Sequence, residues 1–313
     1  MSKALGIDVG GTKIAAGLVA ADGAISDVTV VPTPKGSSAE VLNVIDQLWQ
    51  RFSQITEIEA VGISAAGLVN KEMTAVTFAP HLPWVNEPLV ESVGAITNRP
   101  VVIDNDANAA AWAEHRFGSA KGFRDFIMVA VGTGIGGGIF VAGKPHRGAN
   151  GMAGEIGHLK VDPNGFDCAC GNKGCWEQYA SGNALGRLAR DFATHGKADS
   201  LIDSVGSVEA ITGLHVTELV RKNDQAALKI VESFAKWLGV GIASLIAVLD
   251  PELVIIGGGV GELGDVLLEP VRAVVKENLI GGDVRDLPLI VGAQLGNYAA
   301  IIGAADMARQ SIR

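Results

Sequence analysis

The sequence predicts an α/β protein built of two related lobes. Three observations lead there. Short apolar runs of strand length alternate with stretches at helical spacing. The pattern Ile7-Asp8-Val9-Gly10-Gly11-Thr12-Lys13-Ile14, strand then glycine turn then strand, returns as Val131-Gly132-Thr133-Gly134-Ile135-Gly136-Gly137-Gly138-Ile139, a weak internal repeat. The chain has 313 residues, a length that fits two domains at ~100–200 residues each.

Taken in order, Ala4–Val9, Ile14–Val19 and Ile25–Val31 read as a β-meander separated by Gly- and Asp-containing turns. From Glu40 to Phe52, Val41, Leu42, Val44, Ile45, Leu48 and Trp49 fall at helical spacing. Ala60–Ile63 and Pro100–Ile103 are buried strands, and the Ala-rich stretch Asn108–Phe117 is a helix ended by Gly118. Phe126–Val131 opens a second meander that continues at Ile139–Ala142. Helices follow at Asn183–Phe192, Val216–Val220 and Asp224–Leu249, then a strand at Leu253–Ile256. A helix at Val266–Glu277, a strand at Leu289–Val291 and a last helix from Tyr298 complete the chain.

Composition narrows the function. Hydrophobic residues make up 48% and charged residues 19% of the chain, which excludes a disordered polyelectrolyte. The 41 glycines are about twice the usual share of ~7% and lack a three-residue period, so glycine-rich loops are expected rather than collagen. A net charge of −9 disfavours nucleic acid as a partner, so any phosphate must be held locally. Asp8 interrupts the apolar stretch after Met1-Ser2-Lys3, so no export signal is expected and the cytoplasm is the expected location. Leu238–Leu249 falls short of the ~20 residues a membrane span needs and reads as a buried helix. Three cysteines within one short segment point to a metal rather than to disulfides.

The glycine turns carry the first chemistry. Gly10, Gly11 and Thr12 join two strands, so neither a dinucleotide fingerprint nor a Walker loop fits, because both need a helix next. Such a hairpin tip lets backbone N–H groups approach an anion, with the Thr12 hydroxyl and the Lys13 charge beside them. Asp8 is placed to hold a hydrated Mg²⁺ brought by phosphates. Gly132, Thr133, Gly134, Gly136 and Gly137 repeat the arrangement, again running into a strand. Two such hairpins facing one interlobe cleft would grip a triphosphate. The run Gly257-Gly258-Gly259 follows a strand and precedes a helix, as expected of a loop on which an adenosine lies.

Asp104-Asn105-Asp106 ends one strand just before a helix. Two carboxylates so close resist joint ionisation, so one of them would serve as base towards a hydroxyl while Asn105 binds a polyol; alternatively Asp106 only caps the helix. His158, Cys168, Cys170 and Cys175 form a closed tetrahedral set for structural Zn²⁺. Glu155 and Glu177 flank these ligands and suit bidentate acceptance from sugar hydroxyls. His81, His115, His146, His195 and His215 show no metal spacing. Trp84, Trp112, Trp176 and Trp237 are packing residues, with Trp176 also placed to flank a bound ring.

These segments together resemble the ROK family of sugar kinases and repressors. The match runs in the family's order from residue 4 to 305: Asp8 to Lys13, Asp104 to Asn108, Gly132 to Gly138, Gly154-Glu155-Ile156-Gly157-His158, and the Cys168-to-Ser181 segment. Within the family the bacterial ATP-dependent glucokinases are the similar branch. The resemblance implies the two-lobed actin-like, ribonuclease H-like sugar kinase fold with an active-site cleft between the lobes. It implies a small N-terminal lobe over residues 1–108 joined by a C-terminal helix over 298–313, and a large lobe over 109–297 that carries the zinc loop. It implies that Asp106 is the catalytic base and that Gly67, Asn105, Glu155, His158 and Glu177 contact the hexose, with His158 serving zinc through one ring nitrogen and sugar through the other. Glucose and ATP with Mg²⁺ are the implied substrates, and a homodimer or homotetramer the implied assembly. The alternatives are another hexose, among them fructose, mannose, N-acetylmannosamine and N-acetylglucosamine, or a sugar-sensing regulator. The regulator is disfavoured by a first hairpin that begins at Ala4 and leaves no room for a DNA-binding module.

Overall fold

A computed structural model describes residues 3–312. The chain divides into two compact units, Met1–Arg124 with Gly138–Gly154 and Asn297–Arg313, and Asp125–Gly137 with Glu155–Gly296.

The first unit opens with the meander β1 (Lys3–Val9), β2 (Lys13–Val19) and β3 (Ile25–Pro32), after which α1 (Ser38–Ser53) returns the chain to β4 (Ile58–Ala65). Ser37 caps α1 by accepting the Glu40 N–H, and Val41, Ile45, Leu48 and Phe52, spaced four, three and four apart, form its buried face. Each such side chain contributes about 1.5–3 kcal/mol on full burial. The short strands β5 (Leu68–Val69), β6 (Val76–Phe78) and β7 (Val85–Glu87) make a separate antiparallel sheet, and α2 (Leu89–Thr97) leads to β8 (Val101–Asn105) and α3 (Asp106–Phe117). The main sheet has the order β3-β2-β1-β4-β8, with β4 parallel to both β1 and β8. Asp8, Ser64 and Asp104 therefore lie at one register level, at the C-terminal ends of three parallel strands.

The second sheet is formed by β9 (Phe126–Val131), β10 (Ile135–Val141) and β11 (Lys144–Pro145), joined later by two strands. Between them run α4 (Glu177–Ala180), α5 (Gly182–Thr194), α6 (Asp199–Val205), α7 (Gly213–Arg221) and α8 (Gln225–Leu249). Then come β12 (Leu253–Gly257), α9 (Gly258–Gly261), α10 (Asp265–Asn278), β13 (Leu289–Gly292) and α11 (Ala299–Ser311). The order β11-β10-β9-β12-β13 repeats the first sheet strand for strand, and β12 is again parallel to both its neighbours. The repeat read from the two glycine hairpins is thus a repeat of whole sheets. Helix α8 is long and apolar enough to cross a membrane, yet Ile230, Phe234, Leu238, Ile242 and Ile246 are buried inside the second unit, as a core helix requires.

Several boundaries differ from the sequence reading, each for a packing reason. Helix α3 starts at Asp106 and not Asn108, because the Asn105 side chain caps it. Strand β10 starts at Ile135 and not Ile139, so Gly136 and Gly137 lie inside a strand and not in the turn. Its glycines have a packing use: a Cβ on Gly138 would meet the Ala111 Cβ of α3 at 2.3 Å. The first unit runs to Arg124 and takes in Gly138–Gly154, which keeps α3 with β8 and α11. Helix α11 lies backbone against backbone on the sheet. A Cβ on Gly6 would come within 2.1 Å of the Ile301 carbonyl oxygen, one on Gly62 within 1.9 Å of that of Ala304, and one on Gly303 within 1.8 Å of that of Ala109. Part of the glycine excess therefore serves close packing and not loops.

Candidate active site

In the first unit the functional side chains gather at the strand ends. Asp8 accepts a hydrogen bond from the Ser64 hydroxyl at 2.7 Å. Burial pushes its carboxyl above the ordinary range, against the pull of that hydrogen bond and of the Lys13 charge. Beside it the β1–β2 turn is braced from outside. The Gly10 N–H reaches the Lys13 carbonyl at 3.0 Å, and Thr33 uses its hydroxyl on the Gly10 carbonyl at 2.7 Å and its N–H on the Thr12 carbonyl at 3.0 Å. The Lys35 ammonium meets the Gly11 carbonyl. Thr12 and Lys13 remain exposed at the tip.

The Asp104-Asn105-Asp106 turn has a clear division of labour. Asp104, 2% exposed, is paired with Arg147, whose Nε donates at 2.9 Å and whose Nη2 donates to the same oxygen. Its other oxygen accepts the Asn105 N–H at 2.8 Å and the Asn108 side chain at 3.3 Å. The Arg147 guanidinium thus balances the Asp104 charge. Asn105, and not Asp106, caps α3, accepting from Ala107 N–H at 2.9 Å and Asn108 N–H at 3.2 Å. Its amide nitrogen donates to the Gly67 carbonyl at 3.2 Å, which brings two expected sugar contacts together. Asp106 is the first helical residue, half-buried, with one carboxylate oxygen on the Ala107 N–H at 2.8 Å.

In the second unit the cysteine loop closes on His158. The Cys168 Sγ lies 3.7 Å from His158 Nδ1, Cys170 Sγ lies 3.6 Å from Cys175 Sγ, and all four donor atoms fall within 4.8 Å of one another. A tetrahedral site with bonds of about 2.0–2.3 Å sets its donors roughly 3.5–3.8 Å apart, so the set fits zinc. Burial pushes the Cys168 thiol up to about 12. Burial would also raise Cys170, but the Asn172 N–H groups and the neighbouring thiols bring it down to about 7. Gly174 is forced at its place: at φ 69° a Cβ would overlap the Asp162 carbonyl.

Two carboxylates flank the histidine. Glu155 lies 3.9 Å from His158 Nε2, and Glu177 lies 3.9 Å from Nδ1 while accepting from the Cys168 thiol at 3.2 Å. Burial raises the Glu155 carboxyl, offset in part by His158 and reinforced by Glu177. His158 and Glu155 keep 36% and 44% of their side chains exposed, enough for a solute to reach them. Trp176 is not such a group. It is fully buried against Gly241 and donates its indole N–H to the Trp237 carbonyl at 2.8 Å, so it packs the core and flanks no ligand.

The second glycine turn is tied to α5, whose Gly182 N–H donates to the Gly132 carbonyl at 2.7 Å. A Cβ on Gly132 would project into open space, whereas Gly134 lies against Glu177. Gly257 ends β12. Gly258, at φ 78°, backs onto Val131, and Gly259 faces open space. Ser64 and Arg147 are members of the site that sequence reasoning does not single out. A signal exists only for Ser64, as the one hydroxyl at the end of an apolar strand.

Two sheets of the same strand order, each led by a glycine hairpin, define the two-lobed actin-like α/β fold of the sugar kinases. The chain belongs to the ROK family, which it matches over residues 4–311. It is 44% identical over 313 residues to the glucokinase of Streptomyces coelicolor, covering 99% of this chain and 98% of that one. Among solved structures it is similar to the ROK family glucokinase of Streptomyces griseus in complex with glucose and AMPPNP, at 44% identity and a TM-score of 0.92 over 99% of this chain and 100% of that one. The ROK hexokinase of Thermus thermophilus is 32% identical with a TM-score of 0.76, over 99% of both chains.

Proposed function

We propose that this chain is an ATP-dependent glucokinase that transfers the γ-phosphoryl group of ATP to the C6 hydroxyl of glucose. One observation carries the reading: Glu155 and Glu177 stand on either side of His158, beside a four-donor metal cluster, in a chain similar over its length to a glucokinase. Paired carboxylates and an imidazole are acceptors and donors suited to the vicinal hydroxyls of a hexose.

Asp106 accepts the C6 hydroxyl proton as that oxygen bonds to phosphorus and the bond to the β–γ bridging oxygen breaks, releasing ADP. In a loose transition state positioning counts for more than basicity. Gly67, Asn105, Glu155, His158 and Glu177 hold the sugar. The N–H groups of Gly11, Thr12, Thr133 and Gly134, with Lys13, stabilise phosphate charge, while Gly10 and Gly132, whose N–H groups donate to the Lys13 and Gly134 carbonyls, shape the two turns. Asp8 would hold the hydrated Mg²⁺ that accompanies ATP; Gly259, which faces open space, leaves room for adenosine, while Gly257 and Gly258 pack against Met128 and Val131 and shape the turn. Gly136 and Gly137 act only by shaping the strand behind the turn. His158, Cys168, Cys170 and Cys175 would hold a structural zinc with four protein ligands, which would stiffen the loop and leave no open position for chemistry. We place the enzyme in the cytoplasm as a homodimer or homotetramer, to be checked by sedimentation.

The test is a panel of hexoses with ATP and coupled detection of ADP. Glucose with the highest kcat/KM supports the reading. A second reading, a kinase for another hexose, is favoured by the similarity to a hexokinase and predicts that mannose, fructose or an N-acetylhexosamine leads instead. Sugar binding without ADP release would indicate the sensing regulator.

A further inference from the structure

We propose that Arg147 is a positioning residue for phosphoryl transfer, acting through Asp104 to set the Asn105–Asp106 turn; this rests on the kinase reading above. The contacts form one unbroken chain. Arg147 Nε donates to Asp104 at 2.9 Å, the other Asp104 oxygen accepts the Asn105 N–H at 2.8 Å, and the Asn105 and Asp106 carboxyl or amide oxygens share the Ala107 N–H at 2.9 and 2.8 Å. Rotation of the Asp104 carboxylate would therefore tilt the Asn105 peptide and, with it, the proposed base.

A buried carboxylate holds such an orientation only while its charge is balanced in a fixed geometry. The guanidinium fork supplies both the charge and the plane; a lysine, with a single mobile ammonium, supplies only the charge. Arg147 is itself anchored in the loop that follows β11, where its carbonyl accepts the Ala153 N–H at 3.0 Å and the His146 N–H before it reaches the Ile139 carbonyl at 2.7 Å. That loop runs on within the sequence to Gly154 and Glu155. One arginine thus joins the loop after β11 to the turn that bears the proposed base.

The experiment compares Arg147→Met, Arg147→Lys and the double variant Asp104→Asn/Arg147→Met. Arg116→Met is the control, because Arg116 makes a similar 3.1 Å pair with buried Asp306 away from the turn. Expected for Arg147→Met is a kcat lower by about 10–100-fold, the scale of loss when an outer partner of a functional group is removed, with KM for ATP within twofold. Arg147→Lys should recover only part. The double variant should recover most of kcat, since a neutral amide at 104 still accepts the Asn105 N–H without a buried charge. Amide hydrogen exchange at Asn105 and Ala107 should quicken in Arg147→Met and not in Arg116→Met, a readout independent of turnover. Unchanged kcat in Arg147→Met, an equal loss in Arg116→Met, or unaltered exchange at both amides would overturn the proposal. Failure of the kinase reading is seen separately, as a wild type that releases no ADP with any hexose while the exchange result still decides the positioning.

Discussion

Gly134 lies against Glu177: a Cβ built on the glycine would meet the Glu177 carboxylate at 2.6 Å. A glycine proposed for nucleotide phosphates and a carboxylate proposed for sugar are therefore neighbours in the second unit. Substitution at 134 cannot report on ATP alone. Gly134→Ala should raise the KM for ATP and for glucose together, by about tenfold each, whereas Gly132→Ala, with open space before it, should raise only the KM for ATP. Steady-state kinetics with each substrate varied in turn checks this, and a Gly134→Ala enzyme with normal glucose KM would contradict it.

Asp106→Asn should lower kcat by about 10²–10⁴-fold, the usual loss when a general base is removed, with the Tm nearly unchanged. The cap of α3 belongs to Asn105 and stays in place. Near-normal turnover in a folded variant would remove Asp106 from the chemistry.

The legible parts of this molecule are those whose signature is local. The glycine hairpins, the cysteine loop and the buried face of α1 each lie within some twenty residues of sequence. Partners brought together from distant parts of the chain are hidden: Ser64 meets Asp8 by strand register from 56 positions away, and Arg147 reaches Asp104 from a loop 43 positions on. Helix α2 and strands β5, β6 and β7 are too short to show a period. Glycine is the ambiguous letter. Gly10 and Gly132 stand in turns, while Gly6 and Gly62 are chosen because α11 leaves no space for a methyl group, and Gly303 of α11 because α3 leaves none.

That contact sets a stability test. Gly62→Ala should destabilise the protein by about 1–3 kcal/mol or more, the range for forcing an extra carbon into a packed interior, because the obstacle is the Ala304 backbone and not a flexible side chain. Denaturant unfolding measures it. An unchanged midpoint would mean that α11 is not held as described.

Asp8 predicts a pH-dependent trade of stability for function. Its folded carboxyl titrates above the ordinary 3.8 through burial, so the contribution to stability is complete below that value and is lost as pH rises through the folded pKa. Asp8→Asn escapes this loss. The variant should be more stable than wild type at pH 7, the difference should vanish as pH falls below about 4, and its kcat/KM for MgATP should drop. Urea unfolding at both pH values gives the sign. A variant less stable at pH 7 would show that the carboxylate is held by attraction and not strained by burial.

Cys170→Ser should lower zinc content and, by loosening the loop around Glu155 and Glu177, weaken glucose binding by about 10–100-fold. Metal analysis with glucose titration checks both. A metal-free native protein of full activity would return the three cysteines to the role of plain thiols.

Phosphorus NMR of the purified protein with MgATP and glucose follows the transfer of phosphoryl from ATP to the C6 oxygen of glucose. The γ-phosphate signal of ATP should decline as a glucose 6-phosphate signal of equal intensity grows, and Asp106→Asn should slow both together. A product phosphorylated at another carbon, or γ-phosphate lost as inorganic phosphate with glucose unchanged, would contradict it.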